Sequence, residues 1–270
     1  MAQPVNDTQR QFDRLCQAGG GLRGGPAKSK VIDLLRTSGR RLRTAGVAAM
    51  EEHFAAYPDA NPWHLCFAVG LSWGHLATLD IEFTGAVTRL LANWNDDDLR
   101  SACRFHQERG PEPIERSLIG AYTLFNKVLL PSELPDSLEQ LGRAQERWLS
   151  PILNPAGRPA YIGSWNATAM FMTALFARPA LAETQRAAKP LLPPGGPIYA
   201  GLKMLHGTHL ISRAPTGREL DDQAFEPGAI YENNALLVEL VSQAADWCMI
   251  DVHSGVYMLG TRHPHSASWE

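Results

Sequence analysis

The stretch Gly70–Gly74 carries the pattern in this chain that is most typical of catalysis. Gly70, Ser72 and Gly74 satisfy G-x-S-x-G, the spacing that places a nucleophilic serine on a tight turn between a strand and a helix. Asp222 and His253 follow in the chain order that such a serine requires of its acid and its base. One hypothesis is therefore a serine hydrolase with Ser72, Asp222 and His253 as its catalytic residues.

The elements predicted before Ser72 do not fit those of a serine hydrolase. A nucleophile turn needs parallel strands before it, yet residues 29–57 have the apolar spacing of one helix. The apolar run 63–69 fits either a buried strand or a helical turn. Close packing of two helices through small residues is therefore the favoured interpretation of Gly70–Gly74.

Histidines and acids near the carboxyl terminus form a second candidate site. Asp251 and His253 are two residues apart, and alternate residues of a strand face the same way, so they would share a metal ion or a proton on a strand. The acidic run Asp96–Asp98 stands at a predicted helix start, where capping explains it better than magnesium does. We predict no metal site and no cofactor, because no glycine fingerprint, phosphate loop or zinc motif is present.

Charge is distributed unevenly along the chain. Nine basic and three acidic residues precede residue 47, a net charge of +6, and the remainder carries −9. Arg36, Arg40 and Arg43 recur at helical spacing opposite an apolar stripe, so we expect them and Arg41 to be exposed. They would bind a partner of acidic character, unless the basic arm folds back on the acidic body.

Composition and cysteine usage limit the class of protein. At 44% hydrophobic and 20% charged residues, the 270-residue chain has the composition of an ordinary folded protein, which excludes wholesale disorder. The four cysteines are scattered without C-x-x-C spacing, and neither a secretory signal nor a bilayer-spanning apolar run is visible. We expect a soluble, cytoplasmic protein that does not contact membranes.

The pattern of elements predicts a mainly α protein with a small C-terminal sheet or hairpin, and an α+β fold as the alternative. Apolar residues recur at helical spacing before residue 180, whereas short apolar runs follow residue 198. His253-Ser254-Gly255 between two such runs suggests a hairpin turn. We predict a basic arm with a glycine-rich linker (1–28), a helical body (29–189), and a mixed α/β portion packed on the same core (190–270).

The lack of a clear catalytic motif favours a binding protein over an enzyme. We expect an inhibitor, immunity-type or adaptor role through a charged surface, with Arg36, Arg40, Arg41 and Arg43 as partner contacts. A protein is the expected partner. Nucleic acid, bound through the basic arm, is the alternative.

Overall fold

The described part of the chain consists of helices joined by turns and loops. The computed structural model describes residues 4–18, 28–73, 79–109, 114–127, 131–144, 162, 164–184, 196–206, 208–216, 227–243 and 247–260, and within these ranges no residue lies in a strand. The helices are α1 (Pro4–Ala18), α2 (Lys28–Ala56), α3 (Pro62–Leu71), α4 (Ile81–Ala92), α5 (Asp96–Arg109), α6 (Glu115–Lys127), α7 (described over 138–144), α8 (Ser164–Phe176), α9 (Pro179–Thr184), α10 (Gly196–Leu205), α11 (Pro227–Ser242) and α12 (Met249–Gly260). None of these described helices is long and apolar enough to cross a membrane.

The mainly α prediction is confirmed, and the predicted C-terminal hairpin is wrong. The segment that contains His253-Ser254-Gly255 is the middle of α12, and the apolar run from Ile198 to Leu205 lies within α10. All twelve residues of α12 are buried, so the helix has no exposed polar face of the kind that marks an amphipathic helix. Its sequence therefore resembles two short buried strands around a glycine.

Side chains at the helix starts explain several boundaries. The Asn61 side chain accepts a hydrogen bond from the backbone N–H of Trp63, and Pro62 occupies the first turn of α3. Asp80 caps α4 by accepting from the backbone N–H of Phe83. Such caps satisfy backbone donors that have no partner inside the helix.

The chain divides into two compact units. The first unit comprises Met1–Ala45, Ala182–Arg218 and Phe225–Glu270, and the second comprises Gly46–Leu181 and Glu219–Ala224. The predicted division into an arm, a body and a C-terminal portion is not tested by this grouping and stays a prediction.

In the first unit, α12 is the central helix and lies against α1, α10 and α11. It also meets α2 closely at two glycines. A Cβ at Gly39 would collide with the carbonyl oxygen of Asp251, and a Cβ at Gly255 would collide with that of Leu35. Because both obstacles are backbone atoms, any larger residue at either position would force the two helices apart.

In the second unit, α3 packs against α8 and α4, and α4 also packs against α5 and α6. Trp63 of α3 meets Phe171 of α8 edge to face, at 6.2 Å between ring centroids. The Thr173 hydroxyl of α8 donates to the Cys66 carbonyl oxygen of α3 at 2.8 Å. Side chains of these two helices are therefore part of the core of the unit.

Candidate functional site

The basic residues of α2 lie on a helix whose opposite face is firmly packed. Val31, Leu35 and Leu42 are almost fully buried and hold the amino-terminal half of α2 in the first unit. Helical geometry places residues 36, 40 and 43 along a different face, close to the amino-terminal end of α12. The four arginines nevertheless have different surroundings.

Arg43 is bound to a buried carboxylate. Its Nε donates to Oδ1 of Asp251 at 2.6 Å, and its Nη2 lies 3.4 Å from Oδ2. The Asp251 side chain is 4% exposed and that of Arg43 22%. Two guanidinium nitrogens on two carboxylate oxygens make this a strong, directional pair. Arg43 therefore serves the contact between α2 and α12.

Arg36 is also partly withdrawn from the solvent. Its guanidinium carbon lies 6.0 Å from the ring centroid of Trp247, and its Nε is buried. A cation at this distance from an indole is attracted by the electrons of the ring. Arg36 thus covers the buried Trp247 that precedes α12.

Arg40 and Arg41 are the exposed members of the set. The Arg40 side chain is 47% exposed, although its Nε lies 3.8 Å from Oδ2 of Asp251. The expectation that all four arginines are exposed is therefore correct for Arg40 and Arg41, whereas Arg36 and Arg43 are half-buried. No local pattern in the sequence indicates this division, because the buried carboxylate lies 208 positions away from Arg43.

A thiol adjoins the ion pair. Burial, reinforced by the negative charge of Asp251, raises the pKa of the Cys248 thiol to about 11. A thiol that stays protonated at neutral pH is a poor nucleophile and a poor metal ligand. The cluster of Arg43, Asp251 and Cys248 is therefore suited to holding helices together rather than to chemistry.

Ser72 lies directly after the last residue of α3, and its side chain is fully buried. Its backbone N–H donates to carbonyl oxygens of the preceding turn, and its Oγ accepts from the Asp80 N–H at 3.3 Å. A Cβ at Gly70 would lie 2.9 Å from the backbone carbon of Ala169 in α8. The element before Ser72 is thus a helix pressed against another helix.

The hydrolase hypothesis also requires Asp222 and His253. Ser72 belongs to the second unit and His253 to the first, where His253 is fully buried in α12. Asp222 lies outside the described residues. Catalysis by these three residues stays a prediction.

The strand that a shared site of Asp251 and His253 would require is not formed, because both residues lie in α12. In α12 the two residues are about 200° apart around the helix axis and point to opposite sides. Nor does any group of three histidine, cysteine, aspartate or glutamate side chains in the described ranges come together in a way that could hold a metal ion.

The acidic run at the start of α5 is engaged in capping and ion pairs. The backbone N–H of Asp98 donates to Oδ1 of Asn95 at 2.8 Å, and the Asn95 amide donates to Oδ2 of Asp98 at 2.9 Å. Arg89 of α4 binds the Asp98 carboxylate at 2.9 Å, and Arg100 binds that of Asp97 at 2.6 Å. This arrangement joins α4 to α5.

Comparisons of the chain with protein-family models, with curated proteins and with solved structures give no match. The candidate site therefore rests on the geometry of α2 and its surroundings.

Proposed function

We propose that the chain is a binding protein that engages an acidic protein partner through the exposed arginines of α2. The observation that carries this proposal is the position of Arg40 and Arg41, adjacent and exposed on a helix that is anchored on its other side. An inhibitor, immunity-type or adaptor role is the function that such a surface serves.

Anchoring of α2 supports the proposal, because a surface that is ordered before binding loses less entropy when its partner arrives. The buried leucines fix the helix, and the Asp251 carboxylate attracts the Nε side of the Arg40 guanidinium. The Arg40 side chain therefore has one side of its guanidinium near a buried carboxylate and nearly half of its surface exposed.

A reducing compartment such as the cytoplasm is part of the proposal. None of the four cysteines forms a disulfide, and burial raises the pKa of the Cys66 thiol to about 12. Buried reduced cysteines of this kind are typical of proteins in which thiols stay reduced.

The test is binding of fluorescein-labelled poly-L-glutamate, measured by fluorescence anisotropy, with the variant Arg40→Glu/Arg41→Glu. We expect the double reversal to raise the dissociation constant at least tenfold, because it removes two attractive charges and adds two repulsive ones. The matched control is Arg104→Glu/Arg116→Glu, which makes the same change in net charge at exposed residues of α5 and α6.

An equal loss of affinity in both double variants would contradict the proposal, since net charge alone would then explain binding. A DNA duplex of about 20 base pairs tests the nucleic-acid alternative. Binding of this duplex through Arg40 and Arg41, without binding of poly-L-glutamate, would replace the acidic protein with nucleic acid.

A further inference from the structure

The part of α2 that belongs to the first unit has an exposed face with a definite order of charges. Six exposed residues at helical spacing form one stripe on this face: Lys30, Asp33, Thr37, Arg40, Arg41 and Thr44. Positive charge at Lys30 is followed by negative charge at Asp33 and then by the two arginines. No large apolar side chain of the stripe is exposed, so a partner has to recognise it by charge and by hydrogen bonds.

Asp33 is the acidic member of the stripe, and its carboxylate is accessible to a partner. Its side chain, like that of Lys30 one turn earlier, forms no ion pair or hydrogen bond with any residue in the described ranges. An exposed carboxylate repels a second carboxylate that approaches it and attracts a cation. A partner that is acidic along its whole length therefore matches the stripe less well than one with a positive charge opposite Asp33.

The spacing of the charges matches a second helix. Lys30 and Asp33 are three residues apart and Asp33 and Arg40 seven, which is about 4.5 Å and about 10.5 Å along the α2 axis. A helix that lies along α2 presents residues at these same intervals on one face. A strand rises about 3.3 Å per residue, so the longer interval corresponds to three residues, whose side chains point to opposite faces. Thr37 and Thr44 have short side chains, which let two helices approach closely.

We propose that this stripe binds an acidic α-helix of the partner protein, which runs antiparallel to α2 and places one basic residue opposite Asp33. Carboxylates of that helix face Arg40, Arg41 and Lys30. The inference rests on the proposed function, because it names the part of the acidic partner that Arg40 and Arg41 contact. The antiparallel direction is favoured because the dipoles of two adjacent helices then oppose one another. Asp33 thus determines which acidic partners are bound.

The test uses two fluorescein-labelled peptides of about 20 residues, built mainly of alanine and glutamine and long enough to form helix. The patterned peptide carries two adjacent glutamates, a lysine seven residues after the second of them, and a glutamate three residues after the lysine. This order is the antiparallel complement of the charges on α2. The acidic peptide has glutamate in place of the lysine. Fluorescence anisotropy measures the binding of each peptide to the full chain in low salt, where exposed charges are least screened.

We expect the wild-type chain to bind the patterned peptide about fivefold more tightly than the acidic peptide, because glutamate opposite Asp33 replaces an attraction with a repulsion. Asp33→Lys should reverse this preference. The matched control is Asp59→Lys, which makes the same change of charge at an exposed residue between α2 and α3 and should keep the wild-type preference. A wild-type chain that favours the acidic peptide, or a preference that Asp33→Lys leaves unchanged, would overturn the inference.

The direction of the bound helix is tested by a third peptide, which has the residues of the patterned peptide in reverse order. It should bind more weakly, because its charges match α2 only in a parallel alignment. Binding as tight as that of the patterned peptide would overturn the antiparallel arrangement.

The proposed function is tested separately with poly-L-glutamate. If the wild-type chain shows no preference between the peptides, but its binding of poly-L-glutamate still depends on Arg40 and Arg41, the helical partner is excluded and the acidic-partner proposal stands. Arg40→Glu/Arg41→Glu should weaken binding of poly-L-glutamate and of both peptides. Undiminished binding of all three probes by this variant would contradict the proposed function as well.

Discussion

Single residues in this chain are explained by their helical surroundings more than by the motifs that contain them. Gly70 and Ser72 match a hydrolase pattern, but they lie at the end of α3, where Gly70 is in close contact with α8. A five-residue pattern specifies types and spacing, whereas a nucleophile also needs a base and an oxyanion site in place. The sequence could reveal the pattern and could not supply those neighbours.

Substitutions at Ser72 separate packing from catalysis. We expect Ser72→Ala to cost about 1 kcal/mol of unfolding free energy, because the Asp80 N–H loses its acceptor. Ser72→Leu should cost about 1–3 kcal/mol more, since the site is fully buried. Urea denaturation measures both values. Labelling of Ser72 by a fluorophosphonate probe, with loss of esterase activity in Ser72→Ala, would instead establish the serine hydrolase.

The buried ring of His64 makes stability depend on pH. Desolvation lowers the pKa of His64 from its usual 6.5 to about 4, and the ring lies 5.3 Å from that of Phe125. Between these two pH values the unfolded chain binds a proton that the folded chain excludes, so stability falls as pH decreases. Between pH 7.5 and pH 4.5, His64 should lower the free energy of unfolding by about 2–3 kcal/mol.

The variant His64→Gln isolates this contribution, because glutamine does not titrate. Urea denaturation of both proteins at pH 7.5 gives the change due to packing alone. The further loss on going to pH 4.5 should be smaller in the variant by about 2–3 kcal/mol. Equal losses in the two proteins would show that the imidazole of His64 takes up its proton without hindrance in the folded chain.

At the level of elements, a helix with an exposed polar face could be predicted from the sequence, and a fully buried helix could not. The start of α5 was predictable because its capping residues stand next to it in the sequence, and Asn95 with Asp98 does form the cap. The helical structure of α12 was not predictable, because a helix buried on every side has no polar face to show the 3.6-residue spacing of a helix. Gly255 suggested a turn, whereas it is a point of contact with the backbone of α2.

The ion pair between α2 and α12 should contribute more than an exposed pair of the same chemistry. Arg43→Met leaves the buried Asp251 carboxylate with only the more distant Arg40 among its paired guanidinium groups in the described structure. We expect a loss of about 2–4 kcal/mol in urea denaturation, because an uncompensated buried charge is costly. The control is Arg89→Met, whose side chain is 60% exposed and whose pair with Asp98 should be worth less than about 1 kcal/mol. Equal losses would contradict the structural role of Arg43.

At the level of the whole molecule, the helical class and the charge asymmetry could be predicted from the sequence. Which helices pack against one another could not. Apolar spacing reports which face of a helix is buried but not which helix covers it. The first unit joins residues 1–45 to segments that begin at residues 182 and 225. Pairings over such separations depend on details like the fit of Gly39 to the Asp251 carbonyl, which no local pattern encodes.

Charge asymmetry of the whole chain leads to a final prediction, made with probes of opposite sign. The segment up to Gly46 carries +6 and the remainder −9, so poly-L-glutamate and poly-L-lysine should bind different surfaces of the same molecule. Arg40→Glu/Arg41→Glu should weaken binding of poly-L-glutamate and leave poly-L-lysine bound at least as tightly. Fluorescence anisotropy in 0.05 M and 0.5 M salt measures both, and the higher salt should weaken each interaction at least tenfold because exposed charges are screened. Binding of poly-L-glutamate that persists in 0.5 M salt would show that its contacts are not these surface charges.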